Sequence, residues 1–355
     1  MKIAYVLELD LTSQLGVRNK LIRQINEWKS QGQDVRVFVT SPNSVDFEGL
    51  DVVNVINGSR SRVKRYLNRV FCSLRIRSKL KKFSPDVIYY RLNVYYPGLG
   101  LILSSFPVVT EVNSLDTVEI KRFGPVVSFF YSLARRVLMS KVDAFVAVSN
   151  EIAGSLDCFA KPIQVVSNGI NVEDSDSDGF RSSNRAKKFA FVGSPDQVWH
   201  GVDRILELAS LLPEYEFHII GPSEASLNQQ QANVYWHGYL KGEELRKLYA
   251  EMGYAIGTLC WQRIGMKEGS PLKVREYLTH DLPTIVGYLD TDLEADSAIL
   301  NIKDQSKELS VSMNDVREFL DNWETRSINK VTLGKVSIEN KEKLRTDFLF
   351  QIAAR

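Results

Sequence analysis

The sequence predicts an α/β protein built as two successive doubly wound parallel sheets. Three observations carry this. Short apolar runs rich in Val, Ile and Tyr alternate with helical patterns along nearly the whole chain, which marks βαβ units and hence parallel strands. The alternation breaks once, at the aspartate-rich Asp174–Gly179, and then begins again. At 355 residues the chain exceeds what one ordinary hydrophobic core accommodates.

The first series opens with Lys2–Leu9 and Asp34–Thr40 as strands. Between them Val17, Leu21, Ile25 and Trp28 recur at helical spacing, with Gly32 placed to end the helix. Ligands of such sheets gather at the carboxyl ends of the strands, where Gln14–Val17 lies; Gly16 either lets a ligand approach the backbone or is a plain turn glycine. Asp51–Ile56, Asp86–Tyr90, Val108–Val112, Asp143–Ser149 and Ile163–Ser167 follow as strands, leading into polar residues such as Arg91, Glu111, Asn113 and Asn168. The second series takes Lys188–Gly193, Glu216–Gly221, Val234–Tyr239, Ala255–Leu259 and Pro283–Gly287. This sets a first domain at 1–173 and a solvated, polar linker at 174–187. A calcium loop in that linker is excluded, because its twelfth position is Arg185 where a glutamate is needed.

Glu268–Gly287 reads as loop, helix, strand. Ser270 is expected to cap the helix and Pro271 to take its first position, with the helix running to about Thr279. Glu268 then lies in the loop and Glu276 in the second turn. The N–H groups of Leu272, Lys273 and Val274 would project from a helix end carrying about half a positive charge. A lysine in that first turn opposes the macrodipole, so Lys273 is odd for stability alone and natural if a phosphate docks there, with a polyol held by each glutamate. The alternative is a capped surface helix with two solvated glutamates.

Charge is divided unevenly. Residues 1–161 hold 23 Lys/Arg and 14 Asp/Glu, a net of +9, and residues 162–355 hold 22 and 29, a net of −7. A basic first half suggests a polyanionic partner, and its charge is concentrated in two segments. Arg60–Lys82 carries ten Lys/Arg and no acidic residue, and Lys121–Lys141 sets basic residues around Phe123, Phe129 and Phe130. Both read as basic amphipathic helices whose apolar faces are expected to cover the sheet and whose charge is expected to meet an anionic membrane. No helix-turn-helix, zinc-finger or aromatic RNA-binding motif occurs, so nucleic acid is not expected. Cys72, Cys158 and Cys260 are odd in number and far apart, which favours a reducing cytoplasm over a disulfide framework or zinc site. Glu8 and Asp10 interrupt the N-terminal apolar run, so no secretory signal is expected. No membrane span is expected either, the longest apolar candidate, Tyr95–Val109, being broken by glycines and serines.

In order and spacing, these motifs resemble the family-4 retaining glycosyltransferases of the GT-B fold. The carrying residues are Glu268 and Glu276 at E-x7-E spacing, SNGIN at Ser167–Asn171, GSPDQVWHGVDRIL at Gly193–Leu206, HIIGP at His218–Pro222 and VYWHGYLKGEEL at Val234–Leu245. The glycine loop at Gly16 and TEVN at Thr110–Asn113 match in the first half. The resemblance implies two Rossmann-like domains facing across a cleft, the second at 188–335, with 336–355 returning to the first as a final helix. It implies an acceptor on the first domain and a nucleotide-sugar, UDP-linked by default and GDP-linked otherwise, on the second. Glu276 would hold the ribose, Glu268 the donor sugar, backbone at Gly269, Ser270, Pro271 and Leu272 the sugar and diphosphate, and groups near Gly221 and Tyr239 the base.

The chain also departs from the family. An arginine and a lysine usually bind the diphosphate where this sequence has Ser194 and His200, so Lys273, with Arg263 or Lys267, is expected to compensate. A histidine near the reacting carbon is replaced by Asn113, which cannot act as a base and would position the acceptor. Glu111 is either the polar group nearest the acceptor or a strand-end carboxylate. No metal or other cofactor is implied. The expectation is a cytoplasmic enzyme, peripheral on the inner face of the plasma membrane, that transfers with retention to a glycan or lipid-linked acceptor of polysaccharide or lipopolysaccharide synthesis. The rival is a catalytically inactive GT-B module acting as a partner subunit or nucleotide-sugar binding protein. A sugar-nucleotide epimerase would need cleft acid/base residues that the sequence does not supply.

Overall fold

The computed structural model describes residues 1–8, 15–44, 46, 49–57, 62–96, 98–172, 183–222, 231–302 and 313–355. Residues 174–182 of the expected linker lie outside the described residues. The chain divides into two compact units, Met1–Ser167 with Ile338–Arg355, and Asn168–Ser337. The sequence puts these boundaries at 173 and 335.

The first unit holds β1 (Lys2–Glu8), β2 (Asp34–Ser41), β3 (Asp51–Ile56), β4 (Val87–Arg91), β5 (Val108–Val112), β6 (Ala144–Ala147) and β7 (Ile163–Val165). They form one parallel sheet in the order β3-β2-β1-β4-β5-β6-β7. Its helices are α1 (Leu15–Ser30), α2 (Arg62–Phe83), α3 (Leu99–Leu103), α4 (Asp116–Glu119), α5 (Pro125–Ser140) and α6 (Asn150–Gly154). Ile3 to Leu7 are buried without interruption, since a parallel sheet is covered on both faces and needs no polar alternation. Trp28 of α1 is fully buried against Tyr5 and Tyr89, ring centroids 5.8 and 5.2 Å away.

The second unit repeats the plan with β8 (Lys188–Val192), β9 (Glu216–Ile220), β10 (Val234–Gly238) and β11 (Tyr254–Ile256). A short pair, β12 (Glu268–Gly269) with β14 (Leu289–Asp290), stands apart, while β13 (Thr284–Val286) and β15 (Ile299–Asn301) complete the sheet β10-β9-β8-β11-β13-β15. Its helices are α7 (Val202–Leu211), α8 (Glu243–Glu251), α9 (Leu272–Thr279), α10 (Met313–Trp323) and α11 (Lys330–Val336). In both sheets the strand order reverses beside the first strand, between β1 and β4 and between β8 and β11. Such reversals open the crevice in which doubly wound sheets bind ligands.

The last helix, α12 (Ile338–Ala353), packs on α1. Its Glu342 accepts hydrogen bonds from Trp28 Nε1 at 2.8 Å and Gln24 Nε2 at 3.2 Å and pairs with Arg345, which is itself fully buried.

Two expectations are corrected here. Arg185 is not solvated: its guanidinium is buried and donates to the carbonyls of Trp323, Gly253 and Arg326 and to Asp281. Five N–H donors in a rigid fork can satisfy several buried carbonyls at once, so the charge stitches the segment to its own unit. The apolar faces of α2 and α5 do not all cover the sheet. Cys72, Ile76 and Leu80, and Leu138 and Met139, turn inward, but Leu67, Phe71, Leu74, Phe129 and Phe130 are exposed. These helices are apolar on two sides, and only one side has a sheet beneath it.

Candidate active site

In the second unit the chain leaves β8 through Gly193 and Ser194, makes a 3-10 turn at Val198–His200 and enters α7 at Val202. This loop is tied across the order reversal, because Leu259 N–H donates to His200 O and Cys260 N–H to Trp199 O. A Cβ at Gly221, φ +99°, would lie 1.7 Å from Gly193 O, so only glycine lets the turns after β8 and β9 approach so closely.

Into this end of β8 projects Lys273, from the first turn of α9. Its amine donates to Val192 O at 3.1 Å, lies 4.5 Å from the centroid of the Phe191 ring and is 3.3 Å from His200 Nδ1. The other ring nitrogen, Nε2, accepts from Ser194 N–H at 3.1 Å. Burial, reinforced by Lys273, pushes the His200 imidazole down to about 3, so the ring is neutral. Burial also pulls the Lys273 amine down to about 7.

The start of α9 differs from the expected cap. Pro271, at ψ 133°, is the residue before the helix, and no side chain caps it. The Ser270 hydroxyl is engaged elsewhere, accepting from Asn168 N–H at 2.9 Å, while Asn168 Nδ2 donates to Ser270 O at 2.5 Å. The Val274 N–H donates to Pro271 O at 3.2 Å, which leaves the N–H groups of Leu272 and Lys273 at the uncapped helix start to meet an external acceptor. Arg275, fully buried, pairs with Asp290 and Asp292 and donates to Asn168 O, locking SNGIN against EGSP.

Glu268 sits in β12 and is buried, rather than in an open loop. A Cβ at the adjoining Gly269 would come 2.8 Å from the Trp261 ring, whose Nε1 donates to Glu268 O. Glu276 lies one turn beyond Lys273 and is half-buried, and Leu272 is half-buried at the helix start. One candidate falls away from this group. Arg263 is committed to Asp203 in a two-pronged pair at 2.8 and 2.6 Å, so it is no spare cation. Tyr239 follows β10 as a largely exposed side chain.

The first unit gathers a different cluster. Glu111 at the end of β5 is fully buried and ringed by cations, Lys20 at 3.0 Å, Arg91 at 3.1 Å and Arg345 at 4.0 Å, with Tyr5 Oη donating at 3.3 Å. Burial alone would raise its carboxyl, but the three cations hold it well below the ordinary range. Lys20 also donates to Asn113 Oδ1 at 2.8 Å, and burial lowers its amine to about 8. Glu111 is thus an internal anchor and not a group facing an acceptor. A cavity of about 240 Å³ beside it, at the carboxyl ends of β4 and β5, is lined by Arg91, Asn93, Asn113, Asp116, Glu119 and Tyr131. Gly16 is exposed, in the first turn of α1. The sequence reading overlooked Lys20, although a signal exists: Lys20 and Gln24 stand on the stripe set by Val17, Leu21 and Trp28, where apolar residues belong. Among the described residues no three His, Cys, Asp or Glu side chains are grouped as for a metal ion, and no helix is long and apolar enough to cross a membrane.

Residues 16–174 match the family described as Glycosyltransferase Family 4. The chain carries a family-4 glycosyltransferase domain. As a whole this glycosyltransferase has the GT-B fold, and solved structures resemble it end to end. A glycosyltransferase from Rickettsia africae ESF-5 superposes with a TM-score of 0.65 at 13% identity, covering 99% of this chain and 98% of that one. The lipopolysaccharide outer core galactosyltransferase WaaB gives 0.62 at 14% identity, with 99% of each chain covered. Alr3699/HepE of Anabaena, solved with UDP, gives 0.65 at 13% identity, covering 99% and 100%. None of the curated protein sequences matches.

Proposed function

We propose that this glycosyltransferase moves a sugar, with retention of anomeric configuration, from a UDP-sugar to a glycan or lipid-linked acceptor at the cytoplasmic surface of a membrane. The observation that carries the reading is the Lys273 amine, held at the carboxyl end of β8 beside the uncapped start of α9. Helix N–H groups and a cation together suit a diphosphate, and negative charge grows on that group as it leaves. The cation comes from α9 because His200, where the family has lysine, is neutral and bonded to Ser194. Glu276, one turn on, would take the ribose hydroxyls and Glu268 the donor sugar.

In the reaction the acceptor hydroxyl attacks the anomeric carbon on the face from which the diphosphate departs. The new C–O bond forms as the old one breaks, and the acceptor proton passes to the leaving phosphate oxygen. No protein base enters, in keeping with Asn113 and with a Glu111 sequestered among cations. The reading asks for no metal, since Lys273 and α9 supply the positive charge. HepE with UDP supports the choice of nucleotide, WaaB the choice of pathway, and the +9 charge of residues 1–161 the membrane surface.

Neutral His200 and Ser194 also favour a second reading, an inactive module that binds nucleotide-sugar or a partner. Calorimetric titration with UDP and GDP, followed by turnover with their sugars, separates the two. Micromolar UDP binding abolished in Glu276→Ala, with turnover in the parent, is the expected result. Binding without turnover overturns the transferase reading, and binding unchanged in Glu276→Ala overturns the ribose site.

A further inference from the structure

In the first sheet the crossovers after β3, β4 and β5 run in one direction, and that after β1 runs in the other. Right-handed connections therefore put α2, α3 and α5 on one face and α1 on the opposite face, where α12 packs. The three helices are contiguous. A Cβ at Gly98, just before α3, would lie 3.2 Å from Val70 Cα of α2, and one at Gly100 would lie 3.1 Å from the Lys141 side chain at the end of α5.

The outer surface of this layer is apolar in register. On α2, Leu67, Phe71 and Leu74 fall at i, i+4 and i+7 and are 59%, 65% and 47% exposed. On α5, Val126, Phe130, Leu133 and Val137 continue the same spacing, and Phe129 and Phe130 stand edge to face, 5.7 Å apart, at 62% and 65% exposure. Leu101 of α3 adds to the face between them. An apolar patch of this kind on a soluble surface marks a contact.

Charge selects the partner. Neither α2 nor α5 contains an acidic residue, and Arg75, Lys79, Lys121, Arg136 and Lys141 are exposed around the apolar stripes. A second copy docked on this face would bring like charges together. An anionic bilayer would receive the rings among its acyl chains and the amines among its headgroups. Resting on the membrane-surface reading, we infer that α2, α3 and α5 form one insertion face that buries Phe71, Phe129 and Phe130 below the headgroups, and that charge alone does not hold the enzyme there.

Flotation of the full chain tests this, with vesicles of phosphatidylcholine alone and with about a third phosphatidylglycerol. The parent is expected to float with the anionic vesicles and to retain part of that binding in about 1 M salt, where surface charges are screened. Phe129→Ser with Phe130→Ser, and separately Phe71→Ser, should lower partitioning roughly tenfold or more at either salt concentration. Arg136→Glu should lower it at low salt only. Several results would overturn the inference: no flotation of the parent, flotation of the Phe variants equal to the parent's, or complete loss in high salt. So would a parent dimer in sedimentation velocity that the Phe variants convert to monomer. UDP binding, measured on every variant, reports separately on the donor site. A parent that floats but binds no nucleotide loses the donor reading and keeps the insertion face.

Discussion

Lys273 Nζ lies 3.3 Å from Nδ1 of His200, in a second unit where the imidazole already accepts the Ser194 N–H through Nε2. A neutral ring with Nε2 accepting carries its proton on Nδ1, which then donates to the amine. Near pH 8 a group lowered to about 7 is mostly the neutral amine, which can accept that proton while donating to Val192 O, and below that pH it is increasingly the cation. A diphosphate favours the ammonium form, so UDP binding at about pH 8 should take up a proton. Calorimetry in two buffers of different ionisation heat measures this. Uptake approaching one proton is expected in the parent and none in Lys273→Met, and an absence of uptake in the parent would count against diphosphate contact.

Lys273 also sets a pH dependence of folding. Its amine stays protonated in the unfolded chain up to about pH 10.4 but releases its proton near 7 when folded. Between those values the unfolded state binds more protons, so stability rises with pH across the window. Lys273→Met should therefore be more stable than the parent at pH 7 and below, and the gain should fade toward pH 10. Chemical denaturation at several pH values would show a constant offset if the lysine were fully charged in the fold.

Glu342→Ala removes the acceptor shared by Trp28 and Gln24 and strips buried Arg345 of its nearest partner. Breaking a buried ion pair from one side typically costs about 3–5 kcal/mol. Urea unfolding should show a loss of that order. A loss below about 1 kcal/mol would mean that water reaches Arg345.

Gly221→Ala should disable the donor site without touching a charged group. Its added methyl would meet Gly193 O at 1.7 Å, and φ is +99°, so the turn after β9 must move. We expect a loss of at least about 2 kcal/mol in stability and the loss of UDP binding, read by thermal melting and calorimetry. Unaltered melting would show that the two turns separate easily.

The sheets were legible because parallel strands, buried on both faces, are unbroken apolar runs; Asp51–Ile56 and Val108–Val112 coincide with β3 and β5. Strand ends were less legible, because polar residues there serve other ends. Ser149, read as the last strand residue, caps α6 by accepting from Ile152 N–H. Ser270 was misread for the converse reason, since its hydroxyl faces Asn168, 102 positions away in the chain. The place of Lys273 in the first turn of α9 was legible from the sequence. Arg185 was not, because a charge whose partners are distant in sequence looks solvated, and Arg345 was not, because its i,i+3 pairing with Glu342 reads like an ordinary surface pair on a helix. The stripes of α2 and α5 have the right period for a buried face, and period alone does not say which side is covered.

The return of Ile338–Arg355 to the first unit has a consequence for biosynthesis. The second unit, continuous in sequence, has all its residues before α12 is made. The first begins earlier on the ribosome yet cannot bury Trp28 against Glu342 until α12 emerges. Since α12 follows the whole of the second unit in sequence, closure of the first unit waits on a helix synthesised after every residue of the second.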